Sequence, residues 1–168
     1  SAVAGAEFSR PALRDSVSAT RFLSLFRAMT DLNGGHSEIE ARENLLLLLP
    51  ALIDHRQDKR PPETPQRLSQ ARARIDDDPS APLSLLDLAS ICDLSQFQLI
   101  RGFSKYTGLT PHAYLIQRRL QKARRLIAGG TPLVDAAQAS GFADQSHMTR
   151  LFVRAYGLSP GLYAAAMN

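Results

Sequence analysis

The stretch RLFVRAYGLSPGLY, residues 150–163, repeats an earlier stretch of the same chain, RGFSKYTGLTPHAY, residues 101–114. Six of the fourteen positions carry the same amino acid, and the two copies start 49 residues apart (150 − 101). A repeat of this kind indicates one supersecondary unit that the chain uses twice. The fold therefore depends on the sequence around each copy.

The first unit carries the signals of two helices separated by a short turn. Ser95-x-x-Gln98 matches the capping box, in which two side chains satisfy free backbone groups at the start of a helix, and Ser84-x-x-Asp87 resembles it. Gly108 fits the left-handed position that ends a helix. Together these signals predict a helix-turn-helix motif.

The same parts recur in the second unit. Thr131-Pro132 has the pattern of a capping residue followed by proline at the first helical position, and Asp144 is a second capping residue. Gly141 marks the turn, and Gly157 marks the helix end. The helices before the two turns align at an offset of 48, whereas the later helices align at 49, so the second turn should be one residue longer.

The whole chain is predicted to be all-α, because no stretch alternates apolar and polar residues as a strand does. Two helix-turn-helix units, at about residues 83–108 and 131–157, are predicted to lie within one domain over residues 61–168. A long linker helix, PHAYLIQRRLQKARRLIAGG, joins them. A small helical segment, residues 1–60, precedes this domain.

The repeated apolar positions predict which side chains form the core. In the second helices of the two units these are Leu99, Phe103 and Tyr106, and then Met148 and Phe152. The linker helix is expected to turn a further set inward: Ala113, Ile116, Leu120, Ala123 and Ile127.

Residues 1–60 contain the apolar runs LFRAM and LLLLLPALI beside a polar, proline-rich linker. Two short helices cannot hide that much apolar surface, so residues 11–55 are expected to form a homodimer or to dock a sensor domain. Because the chain begins at Ser1 rather than Met, we expect it to be a piece or processed form of a longer protein.

Charge is unevenly distributed along the chain. Residues 81–168 contain 9 Lys+Arg and 4 Asp+Glu, a net charge of +5, whereas residues 1–80 have a net charge of −1. A basic half indicates a polyanionic partner. The single cysteine, Cys92, is expected to be a packed thiol in a reducing compartment, and no run is long and apolar enough to span a membrane. We therefore expect a cytoplasmic location.

The outward stripes of the two second helices are the candidate DNA-reading surfaces, because Arg and Gln make bidentate contacts to base edges. The predicted base-reading residues are Gln96, Phe97, Ile100 and Arg101, and then Gln145, Ser146, Thr149 and Arg150. The predicted phosphate contacts are Lys105, Arg154, Ser84 and Thr131. The alternative for Arg101 and Arg150 is that they pair with carboxylates of the protein itself, or that they only neutralise phosphate.

An enzyme is the first rival class, and the sequence does not favour it. The histidines His36, His55, His112 and His147 are scattered, with no pair at a metal-ligand spacing. No nucleophile has a base beside it, and no glycine-rich phosphate loop is present. We therefore predict no catalytic residue, no metal and no cofactor. The other rival is a helical protein-interaction module with only non-specific DNA affinity.

Two segments closely resemble the helix-turn-helix motifs of the AraC/XylS family of bacterial transcription regulators. They read LDLASICDLSQFQLIRGFSKYTGLTPHAY and AAQASGFADQSHMTRLFVRAYGLSPGLY. The resemblance covers about residues 65–168, and it departs from the family pattern at Ala136 and Met148. Residues 9–55 resemble the helical connector that follows the effector-binding cupin barrel in many members, and the barrel itself is not found in this chain.

The resemblance implies a function and a set of partners. It implies a bacterial transcription regulator, an activator or a repressor, that binds double-stranded promoter DNA at the nucleoid and contacts RNA polymerase. A small-molecule effector would bind the domain that is missing here.

Overall fold

The computed structural model describes Leu45 and residues 63–167, and all regular structure in that part of the chain is helical. The seven helices of residues 63–167 are α1 (Pro65–Asp77), α2 (Leu85–Ile91), α3 (Gln96–Thr107), α4 (Pro111–Ala128), α5 (Leu133–Ala139), α6 (Gln145–Tyr156) and α7 (Pro160–Met167). The predicted all-α fold is confirmed for these residues. The predictions for the 1–60 segment, including the surface at 11–55, lie outside the described residues, Leu45 aside.

Most helices begin where their capping residues predict. Both capping boxes form: Ser84 accepts from the backbone of Asp87, and Ser95 accepts from that of Gln98, each with the reciprocal bond. Asp144 caps α6 by accepting a hydrogen bond from the backbone N–H of a residue in its first turn. These bonds join residues three apart, so local sequence is sufficient to specify them.

The predicted cap at Thr131 is wrong. Pro132 is the N-cap of α5, and no side chain bonds to the first turn of that helix. The backbone N–H of Thr131 instead donates to the carbonyl oxygen of Leu126 at 3.0 Å, which closes the end of α4. Because that closing turn uses Thr131, α5 begins one residue later than predicted.

The two turns share one backbone pattern. The N–H of Leu94 donates to the carbonyl of Ala89 at 3.0 Å, and the N–H of Phe142 donates to that of Ala137 at the same distance. The residue before each donor is left-handed, namely Asp93 in the first turn and Gly141 in the second. Residues 92–95 separate α2 from α3, whereas residues 140–144 separate α5 from α6, so the second turn is one residue longer, as predicted.

Each unit has its own apolar core, and α4 contributes to both. The first core contains Leu68, Ala71, Ile75, Leu85, Leu88, Ala89, Cys92, Leu94, Leu99, Ile100, Phe103 and Leu115. The second contains Leu120, Ala123, Ile127, Ala136, Ala137, Phe142, Met148 and Phe152. Aromatic rings pack within both cores: the Phe103 and Tyr114 ring centroids are 5.5 Å apart, and those of Phe152 and Tyr163 are 5.8 Å apart.

Two predicted core residues are exposed instead. Tyr106 is 41% exposed, because its place on α3 lies outside the face that the first core covers. Ala113 is exposed, and Leu115 is buried in its place. Successive side chains are about 100° apart around a helix. The start of α4 must therefore turn Leu115 towards the first core, while its later turns face the second.

The His112 imidazole, at the start of α4, should make the stability of the domain depend on pH. Burial lowers its pKa to about 4, and the positive charges of Arg119 and His147 act in the same direction. The unfolded value is about 6.5, so the unfolded chain binds more protons between these two values. Stability is therefore complete above about pH 6.5 and decreases as the pH falls towards 4.

We expect His112→Gln to flatten this dependence. The wild-type chain should lose up to about 2 kcal/mol of unfolding free energy between pH 7.5 and pH 5 through this group. Urea denaturation of both proteins at the two pH values measures the difference. Equal losses in both proteins would show that His112 does not titrate as its burial requires.

Candidate nucleic-acid interface

The helix α6 presents a polar stripe opposite its core face. Met148 and Phe152 are buried on one side, whereas Ser146, Arg150 and Arg154 are exposed on the other. A second set on the helix is half-buried: Gln145, His147 and Thr149. The stripe has the mixture of hydroxyl, amide and guanidinium groups that can bond to base edges.

The corresponding stripe of α3 differs from its prediction at one position. Arg101 and Lys105 are exposed, and Gln96 and Phe97 are half-buried. Ile100, a predicted base-reading residue, is fully buried in the first core, so this structure does not present it to base edges. The reason is that α3 packs against α1, α2 and α4, which together cover a wider face than its own periodicity indicates.

Arg101 has two partners within the protein. Its Nη2 and Nε donate to Oε1 of Glu63 at 2.7 and 3.1 Å, and its guanidinium lies 5.3 Å from the centroid of the Phe97 ring. The alternative of pairing with a carboxylate therefore applies to Arg101 in the DNA-free chain. The sequence did not single out Glu63. In the sequence it is only one acidic residue near the end of a polar linker.

The four predicted phosphate contacts differ in their surroundings. Lys105 and Arg154 are exposed in the last turns of α3 and α6. The Ser84 hydroxyl already donates its hydrogen bond to Oδ2 of Asp87 at 2.6 Å. A phosphate could accept a hydrogen bond from this hydroxyl only if that bond broke. Thr131 is half-buried, and its N–H is used at the end of α4. Lys105 and Arg154 are thus the better placed pair.

Part of the positive charge of α4 is used to hold the fold. Arg118 pairs with Asp76 at 2.7 Å, Arg119 bonds to backbone carbonyls of the loop before α2, and the guanidinium of Arg124 lies 5.6 Å from the Tyr156 ring centroid. The charge excess seen in the sequence therefore overstates the charge that is available to a partner.

The Cys92 thiol and the His147 imidazole, the kinds of group that can act in catalysis, have structural roles here. Cys92 is buried, its Sγ donates to the carbonyl of Arg67 at 3.0 Å, and burial raises the pKa of the thiol. Burial lowers the pKa of His147, as does the charge of Arg150, and the ring packs edge-on to Phe142 at 5.6 Å. Residues 63–167 contain no cluster of side chains able to hold a metal ion and no helix that could cross a membrane.

Two helix-turn-helix units with polar, basic second helices define a DNA-binding protein. The family model described as "Helix-turn-helix domain" matches residues 88–166. A probable transcriptional regulator, LumQ of Photobacterium leiognathi, is 40% identical over 82 residues, which are 48% of this chain and 33% of that protein. The HTH-type regulator YbfI of Bacillus subtilis is 33% identical over 114 residues, 66% of this chain and 42% of that protein.

Solved structures show the same fold. The AraC-type regulator of Chromobacterium violaceum has a TM-score of 0.57 and 27% identity, covering 61% of this chain and 92% of that one. The DNA-binding domain of AdpA, solved in complex with a target DNA, has a TM-score of 0.56 and 26% identity, covering 60% of this chain and 91% of that one. The helix-turn-helix region is therefore similar, in sequence and in fold, to the DNA-binding domains of AraC-type transcription regulators. The chain matches 33% and 42% of the lengths of the two curated relatives, LumQ and YbfI.

Proposed function

We propose that this chain regulates transcription by placing α3 and α6 in successive major grooves on one face of promoter DNA. The supporting observation is the pair of similar units joined by α4, whose 18 residues span about 27 Å. Successive major grooves lie about 34 Å apart, or 10 to 10.5 base pairs. The second helices of the units, which both pack against α4, would supply the remaining distance.

The proposed base-reading residues are the exposed and half-buried members of the two stripes. They are Gln96, Phe97 and Arg101 on α3, and Gln145, Ser146, Thr149 and Arg150 on α6. The two sets differ in chemistry while the cores behind them correspond. One unit should therefore read a different half-site from the other, and the whole site should be asymmetric.

The wider role of the protein rests on its relatives. One relative is named a transcriptional activator, RhaS of Enterobacter, with 38% identity over 95 residues. By this likeness the chain is an activator that contacts RNA polymerase, acts by binding rather than catalysis, and works in the cytoplasm at the nucleoid. Dimerisation through residues 11–55 and effector control by a further domain complete the proposal.

Selection of bound duplexes from random DNA, followed by fluorescence anisotropy at two salt concentrations, tests the proposal. We expect an asymmetric site spanning two turns of the duplex and an affinity at least about 1000-fold above that for random DNA. Recovery of no preferred sequence would instead favour the helical protein-interaction module with non-specific DNA affinity. A footprint of one turn would contradict the use of both helices.

Glu63 should weaken DNA binding, because Arg101 must leave its carboxylate before it can bond to a base. We expect Glu63→Gln to raise affinity for the selected site by up to about fivefold, the scale of an exposed ion pair. Asp93→Asn is the matched control, since it removes the same charge from a different ion pair, with Arg67. The gain should disappear in an Arg101→Ala background. Weaker binding by Glu63→Gln would mean that Glu63 orients Arg101 for DNA.

A further inference from the structure

The loop between α1 and α2 belongs to the first unit in sequence, but it is held by the linker helix. Nε of Arg119 donates to the carbonyl oxygen of Pro79 at 2.7 Å, and Nη2 donates to that of Ala81 at 3.0 Å. The guanidinium donors form a fixed fork. Two such bonds therefore hold the loop in one position along α4.

The tip of this loop is held from both sides. Nζ of Lys122 donates to Oγ of Ser80 at 2.9 Å. Ser80 in turn donates from Oγ and from its backbone N–H to Oδ1 of Asp78, at 2.5 and 3.0 Å. The backbone of Ser80 is consequently presented at a defined place beside α4.

The backbone of Ser80 lies against Gly141, in the turn of the second unit. A Cβ atom added at Gly141 would lie 2.7 Å from the Ser80 oxygen and 2.8 Å from its Cα, closer than atoms can approach. Left-handed backbone is not itself the reason for glycine, because Asp93 adopts it at the equivalent position of the first unit (141 − 48 = 93). Asp and Asn are the side chains that tolerate this conformation best. Glycine is required at 141 because the loop of the other unit sits against it.

We propose that the 79–81 loop, held by Arg119 and seated on Gly141, sets the separation and rotation of α3 and α6 and thereby the half-site spacing that the domain accepts. Arg119 and Gly141 are positioning residues in this account, because neither lies on a reading stripe. The inference rests on the proposed use of both helices on one DNA. It adds that specificity includes the distance between half-sites as well as their bases.

Spacer changes in the DNA provide the test. One inserted base pair moves one half-site by about 3.4 Å and rotates it by about 34° relative to the other. With the full chain and the duplex selected by the wild type, we expect a one-base-pair insertion or deletion to weaken binding at least about tenfold. We expect Arg119→Ala and Gly141→Asn to bind the unaltered selected duplex several-fold more weakly than the wild type does. In these variants the one-base-pair change should reduce affinity by less than about threefold more.

Gly157→Asn is the matched control for strain. Gly157 has a φ of 76°, close to the 83° of Gly141, but a Cβ there would meet nothing within 4 Å. In this variant a one-base-pair insertion or deletion should weaken binding as much as it does in the wild type. If the same holds for Arg119→Ala and Gly141→Asn, the loop does not control spacing and the proposal is overturned.

A measurement without DNA separates this inference from the proposed function. Leu86 and Val134 occupy equivalent positions of α2 and α5 and are 61% and 60% exposed. Spin labels at Leu86→Cys and Val134→Cys report the distance between the units, while Cys92 is buried and unreactive in the folded chain. We expect one narrow distribution that broadens in Arg119→Ala. An unchanged distance distribution would show that Arg119 and the 79–81 loop do not fix the two units, and would overturn this inference. A broadened distribution, together with selection that recovers no preferred DNA site, would contradict the proposed function alone.

Discussion

Arg150→Ala is expected to weaken binding to the selected site by about 10- to 100-fold and binding to random DNA by less than about threefold. Arg150 is exposed on the outward stripe of α6, opposite the buried Met148. A bidentate contact from arginine to a guanine edge discriminates by about 1 to 3 kcal/mol. Such a bond to a base forms only on the preferred sequence, so the ratio of the two affinities is the informative quantity.

Phosphate contacts should behave differently, which makes Arg154→Ala and Lys105→Ala the controls for Arg150. Both side chains are exposed one turn further along their helices, near the ends. Each substitution should weaken specific and random binding about equally. Each should also reduce the slope of log affinity against log salt by about 0.9 for every phosphate that the variant no longer neutralises.

Anisotropy titrations of each variant across a salt series provide the measurement. Arg101→Ala should relax preference in the other half of the site, because Arg101 holds the position in α3 that Arg150 holds in α6. If Arg150→Ala weakened both duplexes equally, Arg150 would be a phosphate contact. Base reading by α6 would then fall to Gln145, Ser146 and Thr149.

Phe152→Ala is expected to reduce the stability of the second unit by about 3 to 5 kcal/mol, the cost of truncating a buried phenylalanine. The ring is fully buried, and its centroid lies 4.6 Å from that of Tyr156 and 5.8 Å from that of Tyr163. A core of this size has few other residues to offset the loss. The second unit should therefore open while the first retains its structure.

Hydrogen exchange measured by mass spectrometry distinguishes the two units. Protection should fall in α5, α6 and α7 and persist in α1, α2 and α3. Val153→Ala is the control on the same helix, because Val153 is 41% exposed, and it should change stability by less than about 0.5 kcal/mol. Equal loss of protection in both units would mean that the two cores unfold as one.

Sequence by itself determined the helices, their order and the class of protein. The capping boxes at Ser84 and Ser95 and the left-handed glycines Gly108 and Gly157 act through residues three or four positions away. Such short-range rules can be applied to the sequence alone, and the repeat gives two copies of the helix-turn-helix pattern. The extra residue of the second turn was likewise predictable from the alignment of the two units.

Tertiary structure alone decided which stripe residues are available to DNA and how the two units are joined. Arg101 meets Glu63 across 38 positions, and Arg119 meets Pro79 across 40. Ile100 is buried because three other helices surround α3, and Gly141 is constrained by a loop from the other unit. Periodicity describes one helix in isolation. The width of its buried face and the partners of its charged groups depend on what packs against it, and distant parts of the chain determine that.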